Sequence, residues 1–179
     1  MIKRILMILL PAAVFLAGIT FFGHLLAPAG YGMYLEHDLR KIEQENQQID
    51  LMFFGSSRTY CSYIPDIFEE EMGYDTVFNF GGSGVPYAGT YFQIKDMVSR
   101  YHPVRVIINA TTDELLDREL ISGKLVVWDR LSLRGKADMF LHGLDISQWK
   151  YLIPMYRFRK EYENLQENVE LKRLIVESD

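Results

Sequence analysis

The sequence predicts an α/β domain built on a three-stranded parallel sheet, with an amino-terminal transmembrane helix and a helical carboxyl-terminal part. Three observations carry that expectation. An uncharged apolar run, 5–22, lies behind Lys3 and Arg4. Three short apolar segments, 51–54, 76–80 and 104–110, alternate with two helix-patterned ones, 65–72 and 86–100. Each of the three apolar segments ends in a cluster of Gly, Ser or Thr. Strand–helix–strand–helix–strand implies right-handed crossovers and a sheet covered by helices on both faces, a three-layer domain. The expected boundaries are 1–28 for the anchor, 29–49 for a juxtamembrane stalk, 50–118 for the α/β core and 119–179 for the helical region.

The apolar run continues less strictly through Leu25 and Leu26, reaching the roughly 20 residues needed to cross a bilayer as a helix. Lys3 and Arg4 before it, with Glu36 and Asp38 after it, predict an amino end inside and the remainder outside the cytoplasm. Ala27-Pro28-Ala29 resembles a signal-peptidase site, so a cleaved signal peptide is the rival reading. The run is long for a signal peptide, which favours an uncleaved anchor. A buried core helix is the third alternative. Segment 34–48 is polar, with Leu35, Leu39 and Ile42 at helical spacing, and reads as a short helix or stalk.

A chain of 179 residues holds one domain with a sizeable core plus an appendage. The formal charge of −5 gives no basic footprint for nucleic acid. The single cysteine, Cys61, excludes an internal disulfide, and without a second Cys or a nearby His it reads as a small helix residue rather than a ligand. No metal or organic cofactor is implied.

The first strand, Leu51-Met52-Phe53-Phe54, is apolar throughout, as a strand buried on both faces must be. Gly55 then permits a sharp turn, and Ser56 or Ser57 can cap the helix that follows. A serine there stands at the carboxyl end of a strand, where open α/β sheets bind their ligands. Cap and nucleophile remain alternative readings of Ser57. Pro65 opens the next helix and Gly73 ends it. After the second strand comes Gly81-Gly82-Ser83-Gly84, which lacks the spacing of a dinucleotide fingerprint and the Lys-Ser/Thr pair of a P-loop. Tyr91, Ile94, Met97 and Val98 share a stripe on the second helix, which His102-Pro103 breaks. The third strand ends in Thr111-Thr112-Asp113. In a parallel sheet all three loops fall on one edge. Arg58 reads as a residue that pins the loop, as a contact for an anionic substrate or as a surface ion pair. Asp113 reads as a ligand, a loop-stabilising carboxylate or a cap, with structure favoured; Asn79 and Thr111 read as structural.

Beyond Asp113, segment 114–120 looks helical, 125–128 is an apolar run of uncertain type, 130–141 is helical, and 148–179 reads as helix with a break or start at Pro154. Phe158, Tyr162, Leu165 and Val169 form one apolar stripe. Arg157, Arg159, Lys160, Lys172 and Arg173 are read as a solvated face rather than a lipid or glycan site. The aromatic residues here, Trp128, Phe140, Trp149, Tyr151, Tyr156, Phe158 and Tyr162, suit helix packing or an interface, with several against the bilayer surface. The pattern does not return to a strand, as expected of an amino-terminal portion, or a natural truncation, of a longer architecture.

Strand–Gly-x-Ser, then Asn-x-x-x-Ser-Gly, then a Thr-Asp pair resemble the opening blocks of the SGNH (GDSL-type) hydrolases. The resemblance spans 50–116 and is nearest to membrane-anchored members with Gly-Ser-Ser-Arg in place of Gly-Asp-Ser. That branch includes proteins linked to D-alanylation of teichoic acids and O-acetylation of exopolysaccharides. The resemblance implies a serine esterase or O-acyltransferase acting on acyl esters of cell-envelope glycopolymers. Ser57 aligns with the nucleophile, and Ser56 replaces the aspartate before it. Gly84 aligns with the glycine whose N–H helps hold the oxyanion, and Thr112 stands where an asparagine donates to it. Arg58 and Asp113 would contact substrate. The expected partners are the membrane, an acylated envelope polysaccharide and a membrane acyltransferase.

The family's Asp-x-x-His block does not follow Asp113. His142, in Leu141-His142-Gly143-Leu144-Asp145, has its carboxylate on the wrong side, and His102 falls on the opposite sheet edge. General-base assistance is worth roughly 10²–10⁴-fold. This chain is therefore expected to be weakly active or inactive unless a base comes from elsewhere. The alternative is a non-catalytic envelope protein that keeps the fold as a binding or accessory module.

Overall fold

The structure is a computed structural model that describes residues 2–28, 39, 42, 43, 48–112 and 121–177. Its chain divides into two compact units. One is Tyr34–Leu144; the other joins Met1–Met33 to Asp145–Asp179.

The first unit carries the sheet. Strand β1 (Leu51–Gly55) pairs in parallel with β2 (Val77–Asn79) on one side and β3 (Arg105–Asn109) on the other. The order is therefore β2-β1-β3. All five residues of β1 are buried. Its alternation sends Leu51 and Phe53 to one face, with Val77, Tyr63, Phe68 and Tyr74. Met52 and Phe54 go to the other, with Phe78, Phe80, Met97, Leu39 and Ile42. Both faces are apolar because both are covered, so the strand reads as an unbroken hydrophobic run. Burying each such side chain contributes about 1.5–3 kcal/mol. Phe53 stacks on Tyr63 at 4.6 Å between ring centres, and Phe54 on Phe80 at 5.1 Å.

Helix α2 (Ser57–Ser62) follows β1, and α3 (Pro65–Met72) follows α2. As expected, Pro65 occupies the first turn of α3 and Gly73 ends it, in a left-handed conformation. Helix α4 (Tyr87–Tyr101) crosses back toward β3, ending at His102. Two further described helices belong to the unit, α5 (Ile121–Arg130) and α6 (Leu133–His142). The uncertain apolar run 125–128 is thus helical. Leu125, Val127 and Met139 lie buried, and Val127 and Met139 share a cluster with Val85 and Phe92. Asp96 of α4 anchors α6: its carboxylate accepts from Ser132 N at 2.8 Å and from the Ser132 hydroxyl. Ser132 Oγ in turn accepts from Gly135 N at 3.1 Å as the helix N-cap.

Two features depart from the ordinary pattern. The β-branched segment 104–110 predicts a covered strand, yet Val106, Ile107 and Ile108 of β3 remain 36–43% exposed at the sheet edge. Gln93 on α4 is fully buried, and neither amide atom has a hydrogen-bond partner among the described residues. An unpaired buried amide costs about 1–3 kcal/mol. Gln93→Met should therefore raise the unfolding free energy by about 1 kcal/mol or more, read as a higher urea midpoint with unchanged slope.

The second unit begins with α1 (Ile2–Leu26). The rest is not the continuous helix expected over 148–179. A 3₁₀ turn (Ile146–Leu152), helix α7 (Pro154–Arg157), a second 3₁₀ turn (Arg159–Asn164) and helix α8 (Leu165–Glu177) follow one another. Pro154 cannot donate within a preceding helix, so it starts a new one. The predicted helical region 119–179 thus divides, its first part packing with the sheet unit and its last part with α1.

Helix α1 is long and apolar enough to cross a membrane. Its Leu9, Leu10, Val14, Phe15, Phe21 and Phe22 are exposed, unlike those of a core helix. Near its carboxyl end Gly23 is buried, and a side chain there would meet Pro154 Cβ at 2.3 Å. The end itself is closed by bonds: Gly23 O accepts from Ala27 N at 3.0 Å, and Lys172 Nζ donates to His24 O at 2.6 Å and to Leu25 O at 3.2 Å. These are carbonyls a helix otherwise leaves unpaired, and a cation there also complements the helix dipole. Desolvation at this position lowers the Lys172 pKa.

Candidate functional site

The chain runs from β1 to β2 on one side, then across to β3 on the other. The direction of strand order therefore switches at β1, and in open α/β sheets the carboxyl edge beside such a switch is where ligands bind. Gly55, the last residue of β1, pairs with Asn109, the last of β3. Ser56 and Ser57, next along the chain, therefore sit at the switch point.

Gly55 has φ +149°, a backbone region open to glycine. A β-carbon there would lie 2.2 Å from Thr59 Oγ1 and 2.6 Å from Asn109 O. The turn it makes aims the chain into α2, and Ser56 is the cap. Ser56 has extended backbone, and its Oγ accepts from Arg58 N at 3.4 Å. Ser57 is the first residue of the helix, half-buried, and its hydroxyl makes no hydrogen bond among the described residues. Of the two serines, Ser56 is the one that holds the helix start.

The glycine loop is drawn to the same edge. Phe80 N donates to Phe53 O at 2.8 Å, and Gly82 N to Gly55 O at 3.1 Å, so the ladder runs on past the end of β2. Gly81 packs so closely on α2 that a side chain would come within 2.7 Å of Tyr60 N. Asn79 ties the two together. Its Nδ2 donates to Tyr63 O at 2.7 Å and Thr59 O at 3.2 Å, and its Oδ1 accepts from Gly81 N at 2.9 Å. Asn79 thus caps the carboxyl end of α2 from a neighbouring strand and fixes the loop, the structural role its position predicts.

Gly84 is left-handed at φ +62°, with open space where a side chain would be. Arg58 is exposed and carries no ion pair among the described residues. Thr112 is exposed just after β3, while Thr111 is half-buried and its hydroxyl has no partner among the described residues. Asp113 lies outside the described residues. One cation at this edge escaped the sequence reading. Arg130, at the end of α5, reaches across to donate from Nη1 to Phe80 O at 3.3 Å. Its only signal was position, one residue before the break at Leu131-Ser132.

No described histidine joins the serine. His142 Nδ1 is engaged at 3.1 Å with the Asp138 carboxylate and carbonyl on its own helix. Asp138 is held below the usual carboxylate range by its hydrogen bond from Lys95, with a smaller contribution from His142. His102 precedes β3 and so lies at the opposite sheet edge. His24 belongs to the other unit, and His37 lies outside the described residues. Among the described residues no cluster of three or more His, Cys, Asp or Glu is placed to hold a metal ion. The chain matches no protein-family model, no curated protein and no solved structure.

Proposed function

We propose that this protein is a membrane-anchored, extracytoplasmic α/β protein of SGNH type, whose Ser57 takes acyl groups from esters of cell-envelope glycopolymers. One observation carries the reading: Ser56 caps α2, and the Ser57 hydroxyl at the switch point has no hydrogen-bond partner among the described residues. The Ser57 hydroxyl attacks the ester carbonyl, its proton passes to a base, and the released alkoxide takes up a proton. Water or a sugar hydroxyl then accepts the acyl group. Gly84 and Thr112 are the proposed oxyanion donors, Arg58 and Asp113 the proposed substrate contacts. Lys3 and Arg4, in the first turn of α1, support an orientation with the sheet unit outside the cytoplasm.

The placement of the histidines favours a second reading, a non-catalytic module that binds an envelope glycan or a membrane acyltransferase. A serine without a base is a slow nucleophile, by roughly 10²–10⁴-fold. The two readings separate with a fluorophosphonate probe on the full chain in detergent micelles. The catalytic reading expects slow labelling at Ser57, faster when imidazole is added as a diffusible base, and none in Ser57→Ala. Absence of labelling from about pH 6 to 9, with or without imidazole, leaves the binding module.

A further inference from the structure

The segment 146–160 holds four basic residues and no acidic one. Within it the rings and cations are interleaved. Lys150 and Arg159 lie over the Tyr156 ring at 5.9 and 4.1 Å, and Tyr151 meets Tyr156 edge to face at 5.4 Å. Arg157 Nε donates to Tyr151 O at 2.9 Å, folding the segment back on itself. No carboxylate among the described residues pairs with Lys150, Arg159 or Lys160. Beside these cations Ile146, Trp149, Ile153 and Met155 are exposed, Ile146 by 78%.

The location of the segment is set by its contact with α1. Pro154 sits against Gly23, three residues before the helix ends. Water should not favour four exposed apolar side chains next to three cations that have no carboxylate partner among the described residues. The boundary layer of a bilayer favours both: apolar bodies reach the acyl region while ammonium and guanidinium groups meet phosphate. A soluble polyanion would satisfy the cations but leave the apolar side chains in water.

We propose that segment 146–160 is a membrane-interface platform at the carboxyl end of α1, seating Trp149 and its apolar neighbours in the headgroup layer and holding anionic phospholipid through Lys150, Arg159 and Lys160. This rests on the reading that α1 spans the membrane, and it revises the expectation of a solvated basic face. The platform fixes the height at which the chain leaves the bilayer.

The test uses the full chain in vesicles, with Trp128→Phe so that Trp149 is the only tryptophan. Bromine on the lipid chains near the headgroup should quench Trp149, and aqueous acrylamide should not. Brominated phosphatidylglycerol should quench about twofold more than brominated phosphatidylcholine at equal fraction. Combined Lys150→Glu, Arg159→Glu and Lys160→Glu should abolish that preference while circular dichroism stays unchanged. Equal quenching by both lipids before charge reversal, or quenching by acrylamide alone, overturns the platform. So does protection of Trp149 by a soluble polyglycerol phosphate where brominated lipid has no effect. A second reporter, Phe15→Trp with both natural tryptophans replaced by Phe, separates the two failures. If mid-chain bromine quenches it while Trp149 stays insensitive, the span stands and the platform falls; if neither responds, the span itself is wrong.

Discussion

Gly55→Ala should destabilise the sheet unit by about 4 kcal/mol, the sum of backbone strain and overpacking at one position. The backbone at φ +149° is costly for any residue with a β-carbon. The new methyl would meet Thr59 Oγ1 at 2.2 Å and the Asn109 carbonyl at 2.6 Å. Neither neighbour can give way. Thr59 is fully buried under β1, and Asn109 is held by the β1–β3 ladder. Relief would have to come from opening the sheet at the switch point. In a chain of this size the melting temperature should fall by roughly 10 °C or more. Gly84→Ala is the control. Its conformation is also left-handed, but no atom lies within 4 Å of an added methyl, so the loss should be about 1–2 kcal/mol. Equal losses at the two glycines would mean that the close approach at Gly55 does not matter.

Asn79→Leu should cost about 2–3 kcal/mol, with a consequence for the site that exceeds its effect on stability. The substitution removes both donors to the α2 carbonyls and the acceptor for Gly81 N. Asn79→Asp should not rescue it. The aspartate keeps an acceptor for Gly81 N but sets a negative charge against the carbonyl end of α2, where the dipole disfavours it. Both variants should loosen the glycine loop from α2, so labelling at Ser57 should slow along with the loss of stability. Urea denaturation and the labelling rate, measured on the same samples, check the two parts together.

The reach of the sequence can be traced residue by residue. Strand β1 was legible because burial on both faces leaves no polar position in 51–54. The bounds of α3 were legible because Pro65 and Gly73 act locally. Strand β3 was legible as a strand but not as an exposed one, since β-branched residues report backbone preference and not what covers them. The breaks in 146–164 and the docking of Pro154 on Gly23 depend on contacts far apart in sequence, which periodicity does not carry. Arg130 was hidden for the same reason. Ser56 and Ser57 are adjacent and chemically alike, so which one caps α2 is decided by backbone geometry at Gly55 and not by composition.

That division between the serines is the central claim, and one paired measurement tests it. Ser56→Ala and Ser57→Ala are each melted and each exposed to the fluorophosphonate probe in the presence of imidazole. Loss of the cap in Ser56→Ala should cost about 1 kcal/mol and leave labelling in place. Ser57→Ala should stay within about 0.5 kcal/mol of the parent and lose labelling entirely. Labelling that survives in Ser57→Ala, or a stability loss confined to Ser57→Ala, would contradict the assignment.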